Sequence, residues 1–212
     1  MIENGCLHEK KGDCGKDYVS ILLPADTIDF FFPILQSGVY IPACVPCTLW
    51  NLLKEQLGLS CECISERITT IFVDGKATDD LDKTMVKNGA TIALSAAMPG
   101  MVGATLRRGS FYAAMRSEIT STDNGINGNV EEGAVCMKLF NLLLHDLGPV
   151  FLKRGILMTA PGLVSLLQRI TDQLRHSPRE FKINGKSISH ECSYHSDRYL
   201  SHNGVILAVE FF

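Results

Sequence analysis

The sequence predicts an α+β protein of two tandem domains, each a small mixed sheet with one main helix lying across it. The first reason is an internal repeat, in which residues 38–43 align with residues 155–160. The second reason is that a leucine-rich helical pattern follows each of these segments. The third is a turn signal after each helix, Asp74-Gly75 in the first half and Asn184-Gly185 in the second. Neither half alternates strands with helices as a doubly wound sheet does.

The first domain is predicted to cover residues 17–97. Its helix should begin after Thr48, which is a good N-cap residue, carry leucines on one face and stop at Gly58. Apolar and alternating runs predict its strands at 18–23, 39–43, 68–73 and 91–96.

The second domain is predicted to cover residues 134–212 and to repeat the same order of elements. Its helix has an apolar inner face and is predicted to end at Ser177-Pro178. The strands of this domain are predicted at 135–140, 156–159, 180–183 and 205–211. In each domain the first two strands are expected to be antiparallel neighbours.

The remaining residues form an extension and a linker. Residues 1–16 are polar and glycine-rich, which is typical of a terminal extension. Residues 98–133 join the domains, and a helix is predicted over 104–119, although Gly109 weakens it by about 1 kcal/mol relative to alanine. The residues from 120 to 129 are almost all loop formers.

Composition excludes several classes of function. A net charge of −3 provides no basic surface for nucleic acid. No apolar run approaches the roughly 18 residues that span a membrane, and the first residues lack the apolar core of a secretion signal. We therefore expect a cytoplasmic protein that binds neither nucleic acid nor membrane. In that compartment its eight cysteines are expected to be thiols or metal ligands before they are disulfides.

The order strand, strand, helix, strand, strand is that of the β-grasp, or ubiquitin-like, fold. Residues 137–148 resemble the opening strand and short helix of the sulfur-carrier family, which includes the small subunit of molybdopterin synthase and its thiamine-pathway relative. Residues 183–186 and 203–207 are similar to the central hairpin and closing strand of that family. Those carriers end in a free Gly-Gly, whereas this sequence ends at Phe211-Phe212. The resemblance therefore implies the fold without the carrier chemistry.

A second resemblance concerns electron transfer. Residues 52–59 followed by residues 70–76 resemble the [2Fe–2S] β-grasp domains of molybdenum hydroxylases. Such a cluster needs four cysteine thiolates, mostly on the loop between those segments. That loop offers only Cys61 and Cys63, so the usual cluster is not expected.

Cys44 and Cys47 are the best chemical candidates in the chain, because two thiols three residues apart can hold one Zn²⁺. If the first two strands are neighbours, Cys14 and Cys6 reach the same edge, and Cys6, Cys14, Cys44 and Cys47 complete a tetrahedral site. Two alternatives remain open: a redox pair with a lowered thiol pKa at the helix N-terminus, and buried thiols that only fill space. The cluster His190, Cys192 and His195 lies on a polar connection, where solvated histidines are common.

No phosphate-binding loop, serine nucleophile elbow or zinc-protease motif appears in the sequence. We therefore expect a non-catalytic tandem ubiquitin-like protein that serves as a binding module or scaffold for a protein partner and needs no cofactor. The alternative is a metal-binding or thiol-redox protein that uses Cys44 and Cys47 on the same scaffold, with zinc as the metal.

Overall fold

A computed structural model describes residues 16–96, 98, 100–111, 129–174, 180–187 and 204–212. The protein is α+β, with mixed sheets and several helices. Its chain divides into two compact units, which do not coincide with the first and second halves of the sequence. Unit 1 contains residues 1–30 and 149–212, and unit 2 contains residues 31–148.

The strands are β1 (Asp17–Leu23), β2 (Val39–Val45), β3 (Cys47–Thr48), β4 (Thr70–Val73), β5 (Lys76–Ala77), β6 (Met85–Val86), β7 (Thr91–Ser95), β8 (Glu131–Phe140), β9 (Ile156–Met158), β10 (Glu180–Ile183), β11 (Lys186–Ser187) and β12 (Val205–Phe211). The helices are a 3-10 helix (Ala25–Phe31), α1 (Phe32–Ser37), two π-helices (Asn51–Gln56 and Cys63–Arg67), α2 (Gly100–Leu106), α3 (Leu143–Arg154) and α4 (Ala160–Leu174). Within the described part of the chain, no helix is long and apolar enough to cross a membrane.

The main sheet of unit 2 has the strand order β2-β8-β7-β4-β5. β8 is antiparallel to β2 and parallel to β7, and β4 is antiparallel to both β7 and β5. One face of this sheet is fully buried, since Ile41, Ile71, Ile92 and Val135 are each 0% exposed. The predicted main helix begins beside Thr48, whose hydroxyl accepts a hydrogen bond from Asn51 N at 3.1 Å.

The sheet of unit 1 has the strand order β9-β12-β1-β10-β11. β12 is antiparallel to β9 and parallel to β1, and β1 is antiparallel to β10. The inner face of α4 supplies the core with four residues that are at most 4% exposed, Leu163, Leu166, Leu167 and Ile170. The strands of the two units therefore share one layout: an antiparallel strand (β2 or β9), a parallel central pair, a second antiparallel strand and a two-residue hairpin strand.

Two glycines of the sequence repeat show that this correspondence extends to packing. Gly38 has φ +118°, and a Cβ there would lie 2.7 Å from the sulfur of Cys136 on β8. Gly155 has φ +109°, and a Cβ there would lie 2.7 Å from Ile206 on β12. Both positions need glycine for conformation and for space. β12 thus occupies in unit 1 the place that β8 occupies in unit 2.

The two predicted turns show the same correspondence for the other central strand. Asp74 and Asn184 both have positive φ, at 49° and 50°, and both lie in their hairpin turns. Asp74 Oδ1 accepts a hydrogen bond from Thr91 N at 2.8 Å, while Asn184 Oδ1 accepts one from Tyr18 N at 2.8 Å. β1 therefore holds in unit 1 the place that β7 holds in unit 2.

The predicted antiparallel pairing of β1 with β2 is wrong. β1 lies between β12 and β10, and the antiparallel partner of β2 is β8. A strand has only two edges, so β1 has no edge left for β2. β8, which was predicted to belong to the second domain, is a central strand of unit 2. β1, which was predicted to belong to the first domain, is a central strand of unit 1.

The helix predicted over 104–119 differs from the structure. The helix found there, α2, begins at Gly100 and ends at Leu106. Arg108 N bonds to Thr69 O at 2.8 Å instead of continuing the helix, and Gly109 has φ +63°. Residues 112–119 of this prediction, and residues 1–15 of the predicted extension, lie outside the described residues.

We predict that cutting the chain between β7 and β8 leaves the two fragments associated. Because each fragment contributes strands to both units, separating them would remove a central strand from each sheet. A recognition site for a specific protease, inserted between Thr122 and Asn124, allows the cut to be made in the purified protein. After complete cleavage, both fragments should elute from a sizing column together, at the volume of the uncut protein.

The uncleaved insertion protein is the control, and 6 M urea should separate the cut fragments. If the fragments separate in native buffer, β8 does not lie between β2 and β7.

Candidate functional site

The structure places the Cys44 and Cys47 pair at the junction between β2 and β3. Cys44 is buried at 8% exposure, and Cys47 is half-buried. Cys6 and Cys14 lie outside the described residues. The described ranges contain no group of three or more His, Cys, Asp or Glu side chains that could hold a metal ion. The four-thiolate zinc site stays a prediction, and the strand pairing that brought Cys14 to it is absent.

Gln56, in the main helix, holds this junction in place. Cys44 N donates a hydrogen bond to Gln56 Oε1 at 2.8 Å, and Gln56 Nε2 donates one to Cys44 O at 2.9 Å. The same Nε2 donates to Asn51 Oδ1 at 3.0 Å. The amide of Gln56 therefore pairs with the backbone of Cys44 as a neighbouring strand would.

The environment of Cys47 disfavours the thiolate. Burial raises the pKa of the Cys47 thiol to about 11, against a smaller lowering by its hydrogen bond with Gln56. The redox interpretation required a lowered pKa at the start of the helix, and the structure shows the opposite shift. Since the thiolate is both the nucleophile and the metal ligand, this thiol is held in its unreactive form.

An open cleft of about 450 Å³ lies beside the same junction. It is lined by Val45, Pro46, Lys87, Asn88, Asn129, Glu131 and Glu132. One amine, two carboxylates and two amides can make hydrogen bonds to a polar ligand. The described residues that line the cleft include no thiol, hydroxyl or imidazole.

The other predicted cysteine and histidine sites do not form a metal centre in the described residues. Cys61 is exposed, and Cys63 is half-buried. The pKa of Cys63 is raised, chiefly by burial and then by the nearby carboxylate of Asp146. Asp146 forms an ion pair with Arg67. The cluster at residues 190–195 lies outside the described residues.

A second candidate surface is the face of the unit 2 sheet opposite its core, which we call the outer face. Register places Phe72 of β4 beside Ala93 of β7, and Ala93 beside Lys138 of β8. Alternation along β8 puts Phe140 on the same side, and Tyr40 of β2 joins it through its pairing with Cys136. Tyr40 is 48% exposed and Phe140 is 36% exposed.

The sequence arguments gave the outer face no role. Other phenylalanines of the chain differ in exposure: Phe31 is 0% exposed and belongs to the core, and Phe32 packs edge-on against His145 with ring centroids 4.6 Å apart. Phe212 is 54% exposed. Alternation from Val39 to Ile41 could have identified Tyr40 as facing outward, but which strands lie beside it depends on the topology.

Comparison of the chain with protein-family models, with curated proteins and with solved structures finds no match. The geometry of the chain itself is therefore the basis for any functional argument.

We predict that Gln56→Leu destabilises unit 2. The leucine has a similar volume but leaves Cys44 N and Cys44 O without their partner, which should lower the free energy of unfolding by about 1–3 kcal/mol. Urea unfolding followed by circular dichroism measures the change. The matched control is Glu55→Leu at the neighbouring exposed position, which should stay within about 0.5 kcal/mol of the parent protein. Equal losses in the two variants would contradict the role given to Gln56.

We also predict that Cys47 reacts slowly with iodoacetamide near neutral pH. With a thiol pKa of about 11, only ~0.1% of Cys47 is thiolate at pH 8, and its rate should rise about tenfold per pH unit from pH 8 to 10. Peptide mass spectrometry measures the rate at each cysteine, with the exposed Cys61 as the internal reference for access. A rate at Cys47 that levels off below pH 9 would restore the redox interpretation.

Proposed function

We propose that this protein is a non-catalytic binding protein, that its two units are β-grasp folds with exchanged strands, and that the outer face of unit 2 recognises a protein partner. The observation that carries the proposal is the exposure of two aromatic side chains, Tyr40 and Phe140, on one face of a sheet whose opposite face is buried.

The common layout of the two sheets supports the β-grasp assignment. In each, a parallel central pair is flanked by antiparallel strands, and the main helix comes after one of these flanking strands, β2 or β9. The equivalent glycines Gly38 and Gly155, and the equivalent turns at Asp74 and Asn184, argue that both sheets derive from one pattern. The exchange of central strands between the halves is what distinguishes this arrangement from two β-grasp domains in series.

The composition of the outer face supports a binding role. Tyrosine and phenylalanine contribute a large apolar area at a small cost in side-chain entropy, and aromatic residues are enriched at protein interfaces. Phe72 and Ala93 are half-buried and extend the apolar area across β4 and β7. A single exposed apolar residue needs no explanation, but a set aligned across four adjacent strands does.

Lys138 indicates the chemistry of the partner. Its half-buried side chain lies on β8 next to Ala93, with Phe140 two residues further along the same strand. A partner that covered this face would bury the amine, so it should offer a carboxylate there. We therefore expect a protein segment with an apolar surface and at least one acidic side chain.

The thiol alternative has weaker support. The raised pKa of Cys47 opposes thiolate redox chemistry. The sulfur-carrier and [2Fe–2S] resemblances remain predictions about the fold, and no observation in the described residues adds a chemical role to them.

Photo-crosslinking tests the proposed surface. Tyr40 is replaced by a benzophenone amino acid in the full chain, and the protein is expressed and irradiated in the cell that produces it. The expected result is a discrete adduct with a small number of proteins, which disappears when Lys138→Glu is added because the partner carboxylate is then repelled.

The matched control places the same benzophenone at the exposed Asp82, in the turn between β5 and β6. This position should give no such adduct. An identical adduct pattern from both positions, or an adduct that Lys138→Glu leaves unchanged, would contradict recognition through the outer face.

A further inference from the structure

The segment that follows α2 has the sequence Arg107-Arg108-Gly109-Ser110-Phe111. Arg107 and Gly109 are exposed, and Phe111 is 89% exposed. The segment therefore presents the side chains of Arg107 and Phe111 to solvent, while Arg108 and Ser110 are half-buried.

Two arginines at the third and second positions before a serine, with an apolar residue after it, form the pattern that basophilic protein kinases select. Acidic pockets on such enzymes bind each guanidinium through charge-assisted hydrogen bonds, and an apolar pocket takes the next side chain. We propose that Ser110 is a phosphorylation site for a kinase of this class, and that its phosphorylation releases the segment 107–111 from unit 2.

The chemistry is an ordinary phosphoryl transfer from Mg²⁺-bound ATP. Ser110 Oγ attacks the γ-phosphorus, the bond from that phosphorus to the bridging oxygen breaks, and ADP leaves. The hydroxyl proton passes to the catalytic carboxylate of the kinase. The product carries about −1.5 to −2 charges at neutral pH, where the serine had none.

Three contacts clamp the segment onto unit 2 before modification. Arg108 N donates to Thr69 O at 2.8 Å, and the guanidinium of Arg108 donates to Ile64 O. Gly109 N donates to Asp79 Oδ1 at 3.3 Å. The clamp therefore joins the segment to the residue before β4, to the second π-helix and to the loop after β5.

The clamped segment also leaves polar groups unsatisfied. Among the described residues, three buried side-chain polar atoms have no hydrogen-bond partner, and two of them are Arg108 Nε and Ser110 Oγ. The third, Thr70 Oγ1, follows the residue that binds Arg108 N. A buried polar atom without a hydrogen-bond partner is unfavourable, and opening the clamp lets these atoms bond to water. The free energy needed to open the clamp is therefore smaller than it would be if they were paired.

Phosphate on Ser110 would shift this balance toward the open segment. The Oγ atom is buried, so a phosphate group there would be desolvated. The carboxylate of Asp79, bound to the neighbouring Gly109 N, would repel it. Release frees the side chain of Arg108 and the backbone oxygen of Thr69.

The first experiment uses the full chain, Mg²⁺-ATP and the catalytic subunit of the cyclic-AMP-dependent protein kinase as the probe. Mass spectrometry should place one phosphate on Ser110, and Ser110→Ala should remove it. Since Ser110 Oγ has no partner, this variant should keep the thermal stability of the parent protein.

Arg107→Ala should slow phosphorylation about tenfold through the loss of one charged contact with the kinase, without changing the contacts of the clamp. Ser65→Ala, at an exposed serine that no arginine precedes by two or three residues, is the matched control and should change nothing.

The second experiment compares amide hydrogen exchange in the phosphorylated and unphosphorylated proteins. Exchange at Arg108 N, which is protected by Thr69 O, should become about tenfold faster after modification. No phosphate on Ser110, or phosphorylation that is insensitive to Arg107→Ala, would overturn the assignment of the site. Phosphate on Ser110 with unchanged exchange at Arg108 would overturn the release of the segment.

Discussion

Each sheet is held together by one parallel pair of strands at its centre. This pair is β7 with β8 in unit 2 and β1 with β12 in unit 1. β8 separates β2 from β7, and Val135, Met137 and Leu139 on its inner side are each 0% exposed. β1 has the corresponding central place in unit 1. A central strand supplies backbone hydrogen bonds on both edges and apolar area to the core, so neither sheet is continuous without it. Both units therefore depend on pairing between segments far apart in the chain.

The outer face of unit 2 is a consequence of that pairing. Tyr40 and Phe72 belong to strands that precede residue 97, whereas Lys138 and Phe140 lie on β8. Had β8 stayed with its own half, the amine and the second aromatic ring would lie on another surface. Because the outer face contains strands from both halves of the sequence, loss of the pairing of β8 with β2 and β7 would disrupt it while leaving each side chain in the sequence.

The thiols illustrate how a protein environment changes the meaning of a motif. Two cysteines three residues apart are typical of zinc and redox sites when the thiols are exposed to positive charge or to metal. Here Cys44 packs inside the unit, its backbone is paired with Gln56, and burial opposes ionisation of Cys47. These contacts account for both residues as parts of the core and of the strand-to-helix junction. The half-buried Arg108 is a comparable case, since a basic side chain in an arginine-rich segment donates a hydrogen bond to the backbone oxygen of Ile64 in the folded chain.

Local signals in the sequence determined most of the elements. The cap at Thr48, the stop at Gly58 and the turns at Asp74 and Asn184 all depend on residues near one another in the chain, and each occurs in the structure. The strands β1, β10 and β12 were predicted to within a residue for the same reason.

The neighbours of each strand were decided only by the tertiary structure. The period of two that marks a strand as apolar on one side is the same for β1, β7, β8 and β12, so it fits either central place of either sheet. Which strands pair is set by packing across the whole sheet, and no short stretch of sequence contains that information.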